Sequence, residues 1–159
     1  MINSNKYGYF EVLVDTVNCF RLKKHTWGIH YDPKLKGFYA VTNLFIEGRY
    51  RSTNMHRIIT NCPKELTVDH KSHDTLDNRE ANLRMCTLKQ NKENLHGSQR
   101  NNKTSGIRNV SWCTRTNKWV VQLQHNGLKM HIKYCTDLIE AELIAIEARN
   151  KYYSHNEEV

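Results

Sequence analysis

Residues 96–106, HGSQRNNKTSG, contain Gly, Ser, Asn and Lys and no apolar side chain at any period, so they cannot supply a buried face. Such a stretch reads as a linker. Its 159 residues, 38% of them hydrophobic, are better suited to small units joined together than to one thick globule. We place the linker at 99–103, after a first unit over 1–98 and before a second over 104–155.

Charge is partitioned along the chain in a way the net +8 conceals. Arg100, Lys103, Arg108, Arg115, Lys118, Lys129 and Lys133 fall in a stretch, 99–136, that has no Asp or Glu, and a one-sign stretch creates a potential suited to a polyanion. Residues 61–98 instead set Asp69, Asp74, Asp77, Glu80 and others against a matching number of bases. Carboxylates kept in the middle of a basic chain point to a metal or acid–base site.

The cysteines, Cys19, Cys62, Cys86, Cys113 and Cys135, lie far apart and form no C-x-x-C pair. An odd count without a secretory leader fits a reducing interior, so they are expected as buried small residues in a cytoplasmic protein. The opening MINSNKYGYF lacks an apolar core of leader length, and no run approaches a membrane span.

From 9 to 60 the alternation of apolar and polar residues, with turns at DPKLKG and EGR, predicts an antiparallel meander whose core comes from Val12, Val14, Trp27, Tyr39, Val41 and Phe45. NCPKELT breaks the pattern at Pro63. A strand LTVDH, a polar loop and an extended NLRMCT follow. TLKQ then fits a capping box with Thr87 as N-cap and Gln90 at N3, predicting a helix from Leu88 toward Leu95. Leu88, Asn91 and Leu95 share one stripe of that helix, which turns the Asn91 amide inward. A metal ion or a backbone group would satisfy it, and periodicity does not choose between them.

After the linker, IRNVSW, KWVVQLQH and KMHIKYC read as three strands, the last two joined by Asn126–Gly127, the signature of a type I′ turn. A helix capped near Thr136 or Asp137 follows, with Leu138, Ala141, Ile144, Ala145 and Ala148 on one face. This βββα order leaves the second sheet face to Arg108, Lys118, Gln122, Gln124, Lys129 and His131.

Hydrolysing a phosphodiester needs an activated water and stabilisation of charge on the phosphoryl oxygens, and the Asp69–His70 pair with a later amide supplies the right residue types. MHRII and LTVDHKSHDTLDNREANLRMCTLKQN, over about 55–95, resemble the HNH homing endonucleases of phages and mobile introns, whose site is a ββα-metal fold. The resemblance implies His70 as the general base and Asp69 and Asn91 as ligands to one Mg²⁺ or Mn²⁺ ion. It makes Asn82 the middle letter of the motif, bonding across the loop to hold the strand of His70. It reads Asp77 and Asn78 as a turn device, and gives Arg84 or Arg79 to the scissile phosphate. His56, His73 and His96 are read as satisfied polar groups. His70-x-x-His73 has no partner Cys or His pair at zinc spacing, so no structural zinc is expected.

Residues 104–153 resemble the Apetala-type, ethylene-response-factor-like DNA-binding domain, which lays a three-stranded sheet in the major groove. That resemblance names Arg108, Trp112, Arg115, Lys118, Trp119, Gln122, Gln124 and Lys129 as DNA contacts. Asn109 stands where that family usually has Gly, and Asn tolerates positive φ. Lys133 also stands where Gly is frequent.

The expectation is therefore an α+β protein: an N-terminal antiparallel meander leading into a ββα-metal motif, then a βββα DNA-binding domain. It would be a divalent-metal-dependent endonuclease on double-stranded DNA, acting as a monomer or homodimer and away from membranes. The alternative is a catalytically inactive, sequence-specific DNA-binding regulator.

Overall fold

A computed structural model describes residues 1–95, 97–98 and 102–156. His96 and linker residues 99–101 lie outside the described residues. The fold is mixed α and β with antiparallel sheets, and it divides into two compact units, Met1–Leu88 and Lys89–Val159, a division ahead of the expected linker. No helix among the described residues is long and apolar enough to cross a membrane.

The first unit opens with a short antiparallel pair, β1 (Ile2–Ser4) and β2 (Gly8–Phe10). Next come α1 (Thr16–Leu22), then β3 (Gly28–Asp32), β4 (Gly37–Ile46) and β5 (Arg49–Asn54) as one antiparallel sheet. α2 (Met55–Thr60) leads into the antiparallel pair β6 (Thr67–His70) and β7 (Leu83–Cys86). The continuous meander expected over 9–60 is thus interrupted twice by helix. In α1 the buried pair is Asn18 and Leu22, a helical i, i+4 spacing, while Val17 and Phe20 point to solvent. α2 buries Met55, His56 and Ile59 and ends on Asn61 in the left-handed region (φ 49°), followed by Pro63. Asn in that position and a proline just beyond it form a helix stop.

The core of this unit gathers Ile2, Leu22, Ala40, Met55, Ile59, Val68 and Leu83, with Val12, Val14 and Trp27 packed against it. Phe45, expected inside, is 65% exposed. β3 pairs β4 only as far as Val41, so Thr42–Ile46 pair with β5 alone, and Phe45 meets Tyr50 across that two-stranded ribbon with ring centroids 5.2 Å apart.

α3 (Leu88–Glu93) begins at the boundary between the units. The second unit continues with β8 (Val110–Cys113), β9 (Lys118–His125) and β10 (Leu128–Cys135), a sheet in the order β10–β9–β8, and closes with α4 (Leu138–Tyr152). Asn126 and Gly127 both have positive φ, 50° and 81°, and His125 pairs directly with Leu128. Asp137 caps α4, its carboxylate accepting from the Glu140 amide at 2.8 Å. Ala141 and Ala145 press on Val110, Val121 and Cys135, with Leu138 and Ile144 beside them.

The expected stripe of α3 is not its buried face: Leu88 is 68% and Leu95 45% exposed. Glu93 is buried instead, because its carboxylate accepts from the Ser154 amide at 2.9 Å and from the Ser154 hydroxyl at 3.1 Å.

Candidate active site

Asp69 and His70 end β6, and both are buried. Alternation along the strand sends them to opposite faces: Asp69 stands opposite Arg84, and His70 opposite Leu83. The Arg84 guanidinium meets Asp69 Oδ2 through Nε at 2.8 Å and Nη2 at 2.7 Å. Arg84 is therefore engaged with a carboxylate, while Arg79, half exposed, pairs with Asp77 at 2.6 Å.

The loop from Lys71 to Asn82 is held by its own side chains. Asn82, buried, accepts from the Ser72 amide at 2.9 Å through Oδ1 and donates through Nδ2 to the Asp77 carbonyl at 2.8 Å. Its backbone carbonyl takes the Lys71 amide at 2.9 Å, extending the β6–β7 ladder by one bond past His70. The loop is also tied to the scaffold. Leu13 and Asp77 form a parallel bridge, Glu80 donates its amide to Asp15 at 2.7 Å, and the Thr75 hydroxyl donates to the Phe38 carbonyl at 2.6 Å. A chain so rich in Asn and Asp can hold a long turn because each short polar side chain bonds the backbone nearby.

His70 is the centre of this arrangement. Asn78, 1% exposed, donates through Nδ2 to the Leu76 carbonyl at 3.1 Å and hydrogen-bonds the His70 ring. That bond favours the protonated ring, so the Asn78 carboxamide oxygen is the acceptor of a ring N–H. Burial acts against it and holds the His70 pKa below the usual histidine range, with Asp69, Asp74 and Asp77 opposing the shift. The ring is thus neutral at pH 7, as a proton acceptor must be.

Among the described residues, the rings of His56 and Tyr39 reach His70. His56, the second residue of α2, lies with its ring centroid 5.0 Å away at an interplanar angle of 84°, and Tyr39 of β4 lies at 6.3 Å. Burial drives the His56 pKa down to about 3. From the sequence His56 reads as a satisfied polar group, since nothing local signals that α2 brings it onto β6. His73 lies in the loop with φ 64°.

Among the described residues no three His, Cys, Asp or Glu side chains gather as a metal cluster. The donor chemistry still suits a hard divalent ion. The carboxylate of Asp69 is the kind of hard oxygen donor that Mg²⁺ and Mn²⁺ take alongside water and phosphate. His70, Asp69 and Asn82 share the first unit, whereas Asn91 belongs to the second.

In the second unit, register divides the expected DNA contacts between two faces. Trp112 and Trp119 are cross-strand partners in ring contact at 4.9 Å, on the side of Val110, Val121 and α4. Lys118, Gln122, Gln124 and Lys129 alternate with that set and occupy the opposite face, where Gln122 pairs with His131 and Gln124 with Lys129. Arg115 is exposed in the turn between β8 and β9. Arg108 is a structural anchor: its guanidinium donates to the carbonyls of Lys92 at 2.8 Å, Glu93 at 3.0 Å and Leu95, and lies over the Tyr153 ring at 5.4 Å. Asn109 has φ 67° and donates to the Gln122 carbonyl at 3.0 Å, so Asn does occupy a left-handed turn here.

Residues 61–93 match the family model of the HNH endonucleases. The matched segment contains β6, the Asn-rich loop, β7 and α3, and with them Asp69, His70, Asn82 and Asn91. The match supports a nuclease that hydrolyses DNA, and HNH nucleases generally use a divalent metal. No curated protein and no solved structure matches this chain.

Proposed function

We propose that the chain is a divalent-metal-dependent HNH endonuclease of the homing type, acting on double-stranded DNA through His70. The observation that carries this reading is the coincidence of the HNH match with a buried, neutral His70 whose ring N–H is taken by Asn78. With one ring nitrogen committed as a donor, the other is the basic one.

In this reading His70 accepts a proton from water as the water oxygen bonds to phosphorus and the scissile P–O bond breaks. Asn82 keeps the loop closed so that the strand end carrying His70 does not fray. Asp69 and Asn91 would hold Mg²⁺ or Mn²⁺, which when bound supplies charge stabilisation for the phosphoryl and leaving oxygens. Arg84 neutralises Asp69 and holds its carboxylate in one orientation.

The second unit acts as an Apetala-like DNA-binding module. Lys118, Gln122, Gln124 and Lys129 present amides and ammonium groups from one sheet face, the chemistry that bonds base edges and phosphates. Arg115 adds a phosphate contact from its turn. Trp112, Trp119 and Arg108 support the sheet from the other side and from the α3 connection. Joining two binding units on one chain lengthens the site that can be recognised.

One observation favours the regulator alternative: Asp69 is already neutralised by Arg84 in this state. Incubating supercoiled plasmid with the protein in Mg²⁺, Mn²⁺ or EDTA separates the two. Open-circle or linear product only with a divalent ion supports the nuclease. Retarded but uncut plasmid under every condition supports the regulator.

A further inference from the structure

Asn78 hydrogen-bonds the ring of His70, and a hydrogen bond at one nitrogen does not by itself fix the plane of an imidazole. Rotation about χ2 of histidine is broad and roughly two-fold, so a ring held at a single nitrogen can still tilt about that bond. An orientation error at a reacting group is costly, since a misplacement of about 1 Å costs on the order of a hundredfold in rate. Lateral contact on the ring plane restrains that tilt directly.

The fold supplies it from two distant elements. His56, 7% exposed, comes from the first turn of α2, and its ring stands nearly perpendicular to that of His70, at 84°. Tyr39, from β4, contacts both, with its ring 6.0 Å from His56 and 6.3 Å from His70. The His56–His70 and Tyr39–His56 pairs are edge-to-face and the Tyr39–His70 pair is tilted, and aromatic rings at these separations attract one another. At its polar tip His56 Nε2 meets the side-chain carboxamide nitrogen Nδ2 of Asn54 at 3.4 Å. Its two neighbours in the core, Met55 and Ile59, lock the helix that carries it.

We propose that His56 is a positioning residue for the nuclease reaction, its ring setting the plane of the His70 imidazole through their perpendicular contact. This rests on the reading of His70 as the base. Held neutral by burial, His56 exchanges no proton at working pH and acts through shape alone. Its polar atoms serve to keep the ring in place, and an apolar ring of similar size can take over the contact.

The test compares His56→Phe, which keeps a ring, with His56→Leu and His56→Met, which do not. All three lose the Asn54 contact, and two ringless variants guard against one failing to fold. Plasmid cleavage is read as kcat and KM, and the His70 ring by long-range ¹H–¹⁵N spectra, assigned with His70→Ala. The expected result is a Phe variant within about threefold of wild-type kcat and ringless variants at least about tenfold slower. KM should stay within about twofold throughout. The ringless variants should also show averaged His70 ring nitrogens where wild type shows one tautomer. Equal kcat for Phe and Leu, or an unchanged His70 spectrum in the ringless variants, overturns the proposal. A wild type that never cuts overturns the nuclease reading instead, while the His70 spectrum still decides whether His56 orients the ring.

Discussion

Asp69 and Arg84 face each other across the β6–β7 pair, carboxylate to guanidinium at 2.7 Å, with Asp69 almost wholly out of solvent. Breaking a buried pair by removing one partner strands the other charge, at a typical cost of about 3–5 kcal/mol. Arg84→Ala should therefore show a large loss in urea unfolding at pH 7. If Asp69 also takes a divalent ion, Mn²⁺ should raise the melting temperature of Arg84→Ala more than that of wild type. Equal shifts in the two proteins would argue that Asp69 does not bind the ion.

Burial of His56 makes stability depend on pH with a definite sign. Its pKa falls from 6.5 to about 3 on folding, so between those values the unfolded chain binds the proton and the folded one does not. Stability is complete above pH 6.5 and drains away as pH falls toward 3, by on the order of 5 kcal/mol at ~1.4 kcal/mol per unit. Wild type should lose urea resistance between pH 7 and 4 more steeply than His56→Phe, which cannot titrate there. Parallel curves would contradict the burial of His56.

Asn82→Ala should loosen the loop that follows His70. The substitution strands the Ser72 amide and the Asp77 carbonyl, each costing about 1–3 kcal/mol where water cannot replace the bond. Amide exchange at Ser72 should accelerate well before the global unfolding limit, and cleavage should fall with it. Wild-type exchange at Ser72 would show that Asn82 is not what closes the loop.

What was legible in the sequence was local. Asn126–Gly127 names its own turn, and Leu138, Ala141 and Ala145 repeat at a period only a helix satisfies, so the second unit is read almost directly. Polar residues of the Asp69–Asn91 stretch carried the HNH resemblance because their spacing is fixed by one short segment. The rest depended on neighbours distant in sequence. α1 and α2 have seven and six residues, too few for a 3.6 period to stand out from alternation, and only Asn61 with Pro63 marked a helix end. Glu93 is buried by Ser154, and Arg108 is taken from the sheet surface by carbonyls at the end of α3; neither partner is legible from local spacing. The contact of His56 with His70 arises the same way, from α2 packing on β6.

Arg108 and the lysines of the open sheet face should separate cleanly. Arg108→Ala loses three carbonyl partners and the Tyr153 face, and should lower the melting temperature of the protein. Lys118→Ala with Lys129→Ala should leave melting unchanged, weaken DNA binding, and reduce the slope of log affinity against log salt by about 2. A double lysine variant with the wild-type salt slope would remove that face from the DNA interface.

The most direct test of the account is single-turnover cleavage by wild type and His70→Ala at matched DNA occupancy, with Mg²⁺ or Mn²⁺ in excess. Both proteins should bind the DNA, and cleavage should fall by at least about a hundredfold in the variant, as loss of a general base requires. Cleavage by His70→Ala at the wild-type rate would contradict it.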